Sequence, residues 1–359
     1  MLKFKILPLV QVDPDNDTFD INKIRQICSH GLDECEPDDR AVAWIVLSYV
    51  FPNTPKEWNK IRAQNLETYK QFISYFDLVD FENRDIHNDN SITDFGLKNN
   101  RLMEIIHGDV IRASHHIQFF PYPDPNVEIE KEEDILNPYH IHMRRLERIL
   151  YIFGSLNPTK SYMQGFHELC SVFYYVYSQA LPYFNNDWLE VETTVFYSFQ
   201  QLFTHTSLNE LYTTQDKSSL IHKSLSHFMD LLKIHNLNAY NIIMIHRIDP
   251  LFFAFRWFNL LFSQEYDIPN LIRLWDSLFA YFDNLIDFAM YLGVARVDML
   301  SDRISQDDYI QTMMTLQKVP VDNVMEMLRK ANQFWEEDHP IEKTPFEKNP
   351  LEKILKLFQ

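Results

Sequence analysis

Apolar residues recur at intervals of three and four along most of the chain, the spacing that gathers them on one face of a helix. Residues 40–50, RAVAWIVLSYV, are apolar nearly all round and predict a buried helix that stops at Phe51-Pro52. Residues 56–76 place Trp58, Ile61, Leu66, Tyr69, Phe72 and Ile73 at amphipathic spacing. A third helix is expected through Leu102, Ile105, Ile106 and Asp109. A fourth runs from Tyr139, with Met143, Leu146, Ile149, Leu150 and Phe153 on a common face. Two polar stretches interrupt the pattern, the Asn/Asp-rich 77–100 and the acidic, Pro-flanked 121–138, and both are expected to be surface loops. The C-terminal half repeats the helical texture without a sequence repeat or a low-complexity linker. Its tail, PFEKNPLEKILKLFQ, predicts a short amphipathic helix docked on the body rather than on a membrane.

Composition sharpens this all-α expectation. The 359 residues include only 6 Gly, whereas folds that cradle phosphates or turn many strands need residues tolerant of positive φ. A net charge of −18 disfavours nucleic acid and anionic membrane surfaces as partners. Three cysteines, Cys28, Cys35 and Cys170, are too few for a disulfide scaffold and fit a reducing compartment. The start lacks a convincing signal peptide, and the greasiest stretch, 251–262, is too short for a bilayer and contains Arg256. The expected setting is soluble and cytoplasmic.

Residues 154–166, GSLNPTKSYMQGF, fall one substitution short of a phosphate-binding loop, with Thr159 where Gly is required. Such a loop follows a strand, but the segment before this one, MRRLERILYIF, has helical spacing. Gly154 is therefore expected to cap a helix C-terminus, and Asn157-Pro158 to turn the chain. The next helix is expected from about Ser161, with Ser161 and Gln164 forming a capping box. Phe166, Leu169, Cys170, Phe173 and Tyr177 make its buried stripe.

Three motifs in order change what this stretch implies. Asn157-Pro158 followed by Tyr162-Met163-Gln164-Gly165 resembles the NP…YxQG signature of the TBC-domain Rab GTPase-activating proteins. Upstream, Ile106 to Arg112 resembles that family's I-x-x-D-x-x-R motif. Downstream, Arg256-Trp257 and Arg273-Leu274-Trp275-Asp276 resemble its RW…RLWD block. The likeness covers about residues 31–300, beginning near an Arg40…Trp44 helix. It implies an all-α, two-lobed, V-shaped helical array, with residues 1–30 as an N-terminal extension and 301–359 as C-terminal helices and tail.

The resemblance also implies a chemistry. Such proteins supply an arginine and a glutamine in trans to a small GTPase, so Arg112 and Gln164 are the expected catalytic pair. Asp109 is expected to hold the guanidinium, the alternative being an ordinary exposed ion pair one turn apart. Tyr162 and Gly165 are expected to shape the turn around Gln164, and Ile106 to lie in the core. Arg256, Trp257, Arg273, Trp275 and Asp276 are expected to be scaffold. The implied partner is a Rab-family GTPase in its GTP form. No cofactor of the chain's own is implied, because Mg²⁺ and GTP belong to that partner, and membrane recruitment would come through it. Two departures from the pattern, Ala113 after the arginine and Phe166 after Gln-Gly, leave open a module that grips a GTPase without accelerating hydrolysis, or a helical scaffold. The acidic 121–138 segment is a candidate selector of the partner. The pairs His115-His116 and His140-x-His142 lack the four convergent ligands of a zinc site and are expected to be ordinary histidines.

Overall fold

A computed structural model describes residues 6–11, 17–83, 95–112, 120, 139–158, 161–213 and 217–340. Within them the chain forms fifteen α-helices, with several short 3-10 turns between them. These are α1 (Ile21–Cys28), α2 (Pro37–Leu47), α3 (Trp58–Tyr75), α4 (Asn100–Arg112), α5 (His140–Leu156), α6 (Phe166–Gln179), α7 (Trp188–His205), α8 (Glu210–Thr213), α9 (Lys217–His235), α10 (Leu237–Ile245), α11 (Phe255–Asn259), α12 (Ile268–Ala280), α13 (Leu285–Met299), α14 (Tyr309–Lys318) and α15 (Val324–Asp338). No strand occurs among the described residues, only one isolated bridge between Ser305 and Asp308. The all-α expectation holds. The segment 121–138, Ala113, His115, His116 and the tail fall outside the described residues.

The segment expected to be apolar all round behaves accordingly. Every residue from Ala41 to Leu47 is buried in α2, which Pro37 starts at the first helical position. The helix ends at Leu47, earlier than Phe51-Pro52, because Tyr49 takes a left-handed φ of 61°. Trp44 stacks 5.7 Å from Trp275 and meets Phe279 edge-on at 4.8 Å, which joins α2 to α12. At this junction the fully buried Asp276 carboxylate accepts from Trp44 Nε1 at 2.7 Å, Arg40 Nε at 3.1 Å and the Leu32 amide at 2.9 Å. Its charge is tolerable there because three donors replace water.

The other motif residues expected to be scaffold are also built into the frame. Trp257 is fully buried, and the Arg296 guanidinium lies 4.7 Å over its ring. Glu265 accepts from Arg256 at 2.7 Å and from Arg296 at 3.1 Å, and Arg273 reaches Asp33 at 2.5 Å. Helix α15 lies on α13, where Tyr281 stacks on Phe288 at 3.9 Å with Trp335 beside both. No single helix among the described residues is long and apolar enough to cross a membrane; α12 and the segment after it pass that test only as a pair bent by 92°.

Candidate functional site

The site begins at the C-terminal end of α4. Asn99 opens the helix by accepting from the Leu102 amide at 3.1 Å. Leu102, Met103, Ile106 and Val110 form its buried stripe, and Ile106 is fully enclosed, as expected. Asp109 falls on this inward side and is only 4% exposed. Arg112, one turn on, closes the helix with a side chain 72% exposed, where a cation also suits the helix dipole. Its Nη2 donates to Asp109 Oδ1. This is not the ordinary surface pair weighed from sequence: one partner is buried and the other reaches solvent.

Helix α5 runs beneath, with His142 to Gly154 buried without interruption. Glu147 accepts from Arg144 and faces His107 Nδ1 at 2.9 Å, locking α4 to α5. The helix does not end at Gly154. It continues to Leu156, and Asn157 closes it, with its amide and side-chain Nδ2 both donating to the Phe153 carbonyl at 3.1 and 2.8 Å. Gly154 serves close packing instead. A Cβ there would lie 3.3 Å from Leu102 Cδ2 on α4 and 3.4 Å from the Tyr162 amide.

The expected capping box is not formed either. Ser161 takes a left-handed φ of 47° and donates its amide to the Asn157 carbonyl at 2.5 Å. Helix α6 starts five residues later, at Phe166, and its N-cap is Gly165 with φ +99°. Gln164 therefore sits in the turn before the helix, exposed and outside the capping position. Gly165 fits this place for two reasons. Its backbone conformation is one that side chains resist, and a Cβ would come within 2.6 Å of Leu260 Cδ2.

On either side of the exposed glutamine the chain turns inward. The Tyr162 hydroxyl donates to Asp109 Oδ2 at 2.8 Å. Burial, then the adjacent Asp109 charge, pushes the phenol well above its ordinary pKa, so it stays a donor. Its single proton is used on Asp109, which makes His167 Nδ1, at 3.0 Å, the donor to the phenol oxygen. Phe166, the residue that departs from the family pattern, is 1% exposed in a ring cluster with Phe203 at 4.6 Å, Tyr212 at 5.0 Å, Phe199 at 5.7 Å and Phe153 at 5.9 Å. Glu168, next along α6, accepts from Gln264 Nε2 at 2.6 Å and Ser263 Oγ at 3.2 Å.

Asp109 thus brings Arg112 and the turn of Gln164 together through Tyr162. His167, Glu168, Ser263, Gln264 and Leu260 brace that turn and were not singled out from sequence as its supports. Among the described residues no three His, Cys, Asp or Glu side chains group to hold a metal. His142 bonds Tyr174 at 2.8 Å in a nest of rings.

Comparison with known proteins gives the family and the fold. The Rab-GTPase-TBC domain profile matches residues 40–304. Human TBC1 domain family member 13 is 28% identical over 88% of this chain and 94% of its own length. The yeast GTPase-activating protein GYP1 (Saccharomyces cerevisiae) is 23% identical over 48% of this chain and 28% of its own length. The crystal structure of the Ypt/Rab-GAP domain of Gyp1p superposes with a TM-score of 0.67 at 18% identity, covering 93% of this chain and 98% of that one. The profile match over residues 40–304, with the shared helical fold, leads to one conclusion: the chain belongs to the Rab-GTPase-TBC domain family.

Proposed function

We propose that this chain accelerates GTP hydrolysis on a Rab-family GTPase, with Arg112 and Gln164 acting in trans on the GTP-bound partner. The observation that carries the reading is the pairing of an exposed guanidinium and an exposed carboxamide on one buried join, Asp109 to Tyr162. Phosphoryl transfer asks a protein mainly for position and charge. A planar, permanently charged guanidinium neutralises oxygens of the transferred group, and an arginine finger contributes about 10³ to 10⁵ in rate. A carboxamide both donates and accepts, so Gln164 can hold the attacking water against the γ-phosphate. Mg²⁺ and nucleotide come with the partner, and any membrane recruitment of this cytoplasmic protein follows from it.

Single-turnover hydrolysis over a panel of GTP-loaded Rab proteins tests the reading. Arg112→Ala and Gln164→Ala should each remove most of the stimulation while circular dichroism stays that of the parent, with a lower melting temperature only for Arg112→Ala, which takes a donor from the buried Asp109 carboxylate. Stimulation by both variants equal to the parent's would overturn it.

A further inference from the structure

Three elements together expose an apolar surface. Met244 and Ile245 at the end of α10 are 51% and 58% exposed, Phe252 in the 3-10 turn after it is 63% exposed, and Tyr309, Ile310 and Met314 on α14 are 50–68% exposed. They are neighbours. His246 lies 5.8 Å from the Tyr309 ring and bonds the Ser305 carbonyl at 2.7 Å, and Gln317 donates to the Phe252 carbonyl at 2.9 Å. A contiguous apolar patch of this kind marks a docking surface.

We propose that the chain's own C-terminal segment, residues 351–358, covers this patch. The last described helix points to it. Asp338 at the end of α15 meets His235 Nε2 at 2.9 Å, immediately before Asn236 caps α10. The chain therefore leaves the described structure beside the start of α10, whose nine residues span roughly 13 Å toward Met244 and Ile245. Residues 341–350 reach up to about 33 Å when extended, more than this distance. Beyond them Leu351, Ile354, Leu355 and Phe358 repeat at i, i+3, i+4 and i+7, one helical stripe, with Lys353 and Lys356 off it. Those lysines suit the exposed Asp307 and Asp308 at the rim of the patch.

The patch contains two of the chain's 12 methionines, so their methyl signals report on it directly. The full chain is labelled with ¹³C-methyl methionine, Cys35 is replaced by Ser, and a nitroxide is attached through Gln359→Cys; Cys28 and Cys170 are buried. Met244 and Met314 should broaden selectively, at least several-fold more than the buried methionines. Leu355→Asp with Phe358→Asp should abolish that broadening and shift both methyl signals. Absence of broadening at both, or equal broadening of all methionines, would overturn the proposal. So would broadening that appears only between a nitroxide-bearing chain and a separate ¹³C-labelled chain, which marks a second copy as the occupant. Broadening that requires phosphatidylcholine vesicles would overturn it in favour of a membrane.

Discussion

The Tyr162 hydroxyl donates 2.8 Å to one oxygen of Asp109 while Arg112 donates to the other, so a single buried carboxylate orients a side chain from each of two motifs 53 residues apart. Replacing Tyr162 by Phe removes the donor to Asp109 Oδ2, a buried oxygen. The expected cost is about 1–3 kcal/mol of stability. On the proposed function, stimulated hydrolysis should fall in kcat with KM for the Rab held within a few-fold, since the hydroxyl lies behind the side chains proposed to act on the GTP. Urea unfolding and Rab titrations measure both, and an unchanged kcat would separate the join from catalysis.

Gly165→Ala should be more damaging than its size suggests. The substitution places a Cβ within 2.6 Å of Leu260 Cδ2 and holds an L-residue at φ +99°. The backbone alone costs of order 1–3 kcal/mol. Adding Leu260→Ala should relieve the collision but not the backbone conformation, so the double variant should recover only part of the lost stability. Full recovery of the melting temperature would show that φ at this residue carries no strain.

Asp276→Ala is expected to lower stability by about 3–5 kcal/mol, because it strands the Arg40 guanidinium, the Trp44 indole and the Leu32 amide. Chemical denaturation reads this out. A loss below about 1 kcal/mol would mean that water enters to replace the carboxylate.

His142 gives the fold an acid-sensitive component. Burial, then the adjacent Arg145, lowers its pKa from 6.5 to about 3. Above pH 6.5 the imidazole is neutral in both states and contributes no slope. Between pH 6.5 and about 3 the unfolded chain takes up a proton that the folded chain refuses, so stability falls as pH falls, by up to about 1.4 kcal/mol per pH unit. His142→Gln should reduce the slope of unfolding free energy against pH between 6 and 4 by close to one proton. An identical slope would place the acid sensitivity elsewhere.

Much of the frame was legible because it is local. The stripes of α3, α4 and α6 follow from spacing alone, as does the all-round burial of α2. The errors cluster where local rules compete with packing. Gly154 has the look of a helix stop, yet it is in the helix to let α4 and the Tyr162 backbone approach. Ser161 and Gln164 have capping-box spacing, but the pull of Tyr162 onto Asp109 delays the helix until Gly165 turns the chain. The braces on the turn escaped notice for a different reason. Ser263 and Gln264 lie 95 and 96 residues from Glu168, and no periodicity within a helix connects residues so distant.

The inward anchoring on both sides of Gln164 also bears on encounter. Tyr162 is hydrogen-bonded, Gly165 is conformationally committed and Phe166 is enclosed by rings, so the backbone of this turn is ordered before any partner arrives. If Gln164 meets the partner as proposed, ordering on association is confined largely to the glutamine's own rotamers, roughly 0.5–1.5 kcal/mol, rather than to the several residues of a floppy loop. The entropy that a mobile loop would lose at each encounter has already been lost here, once, during folding.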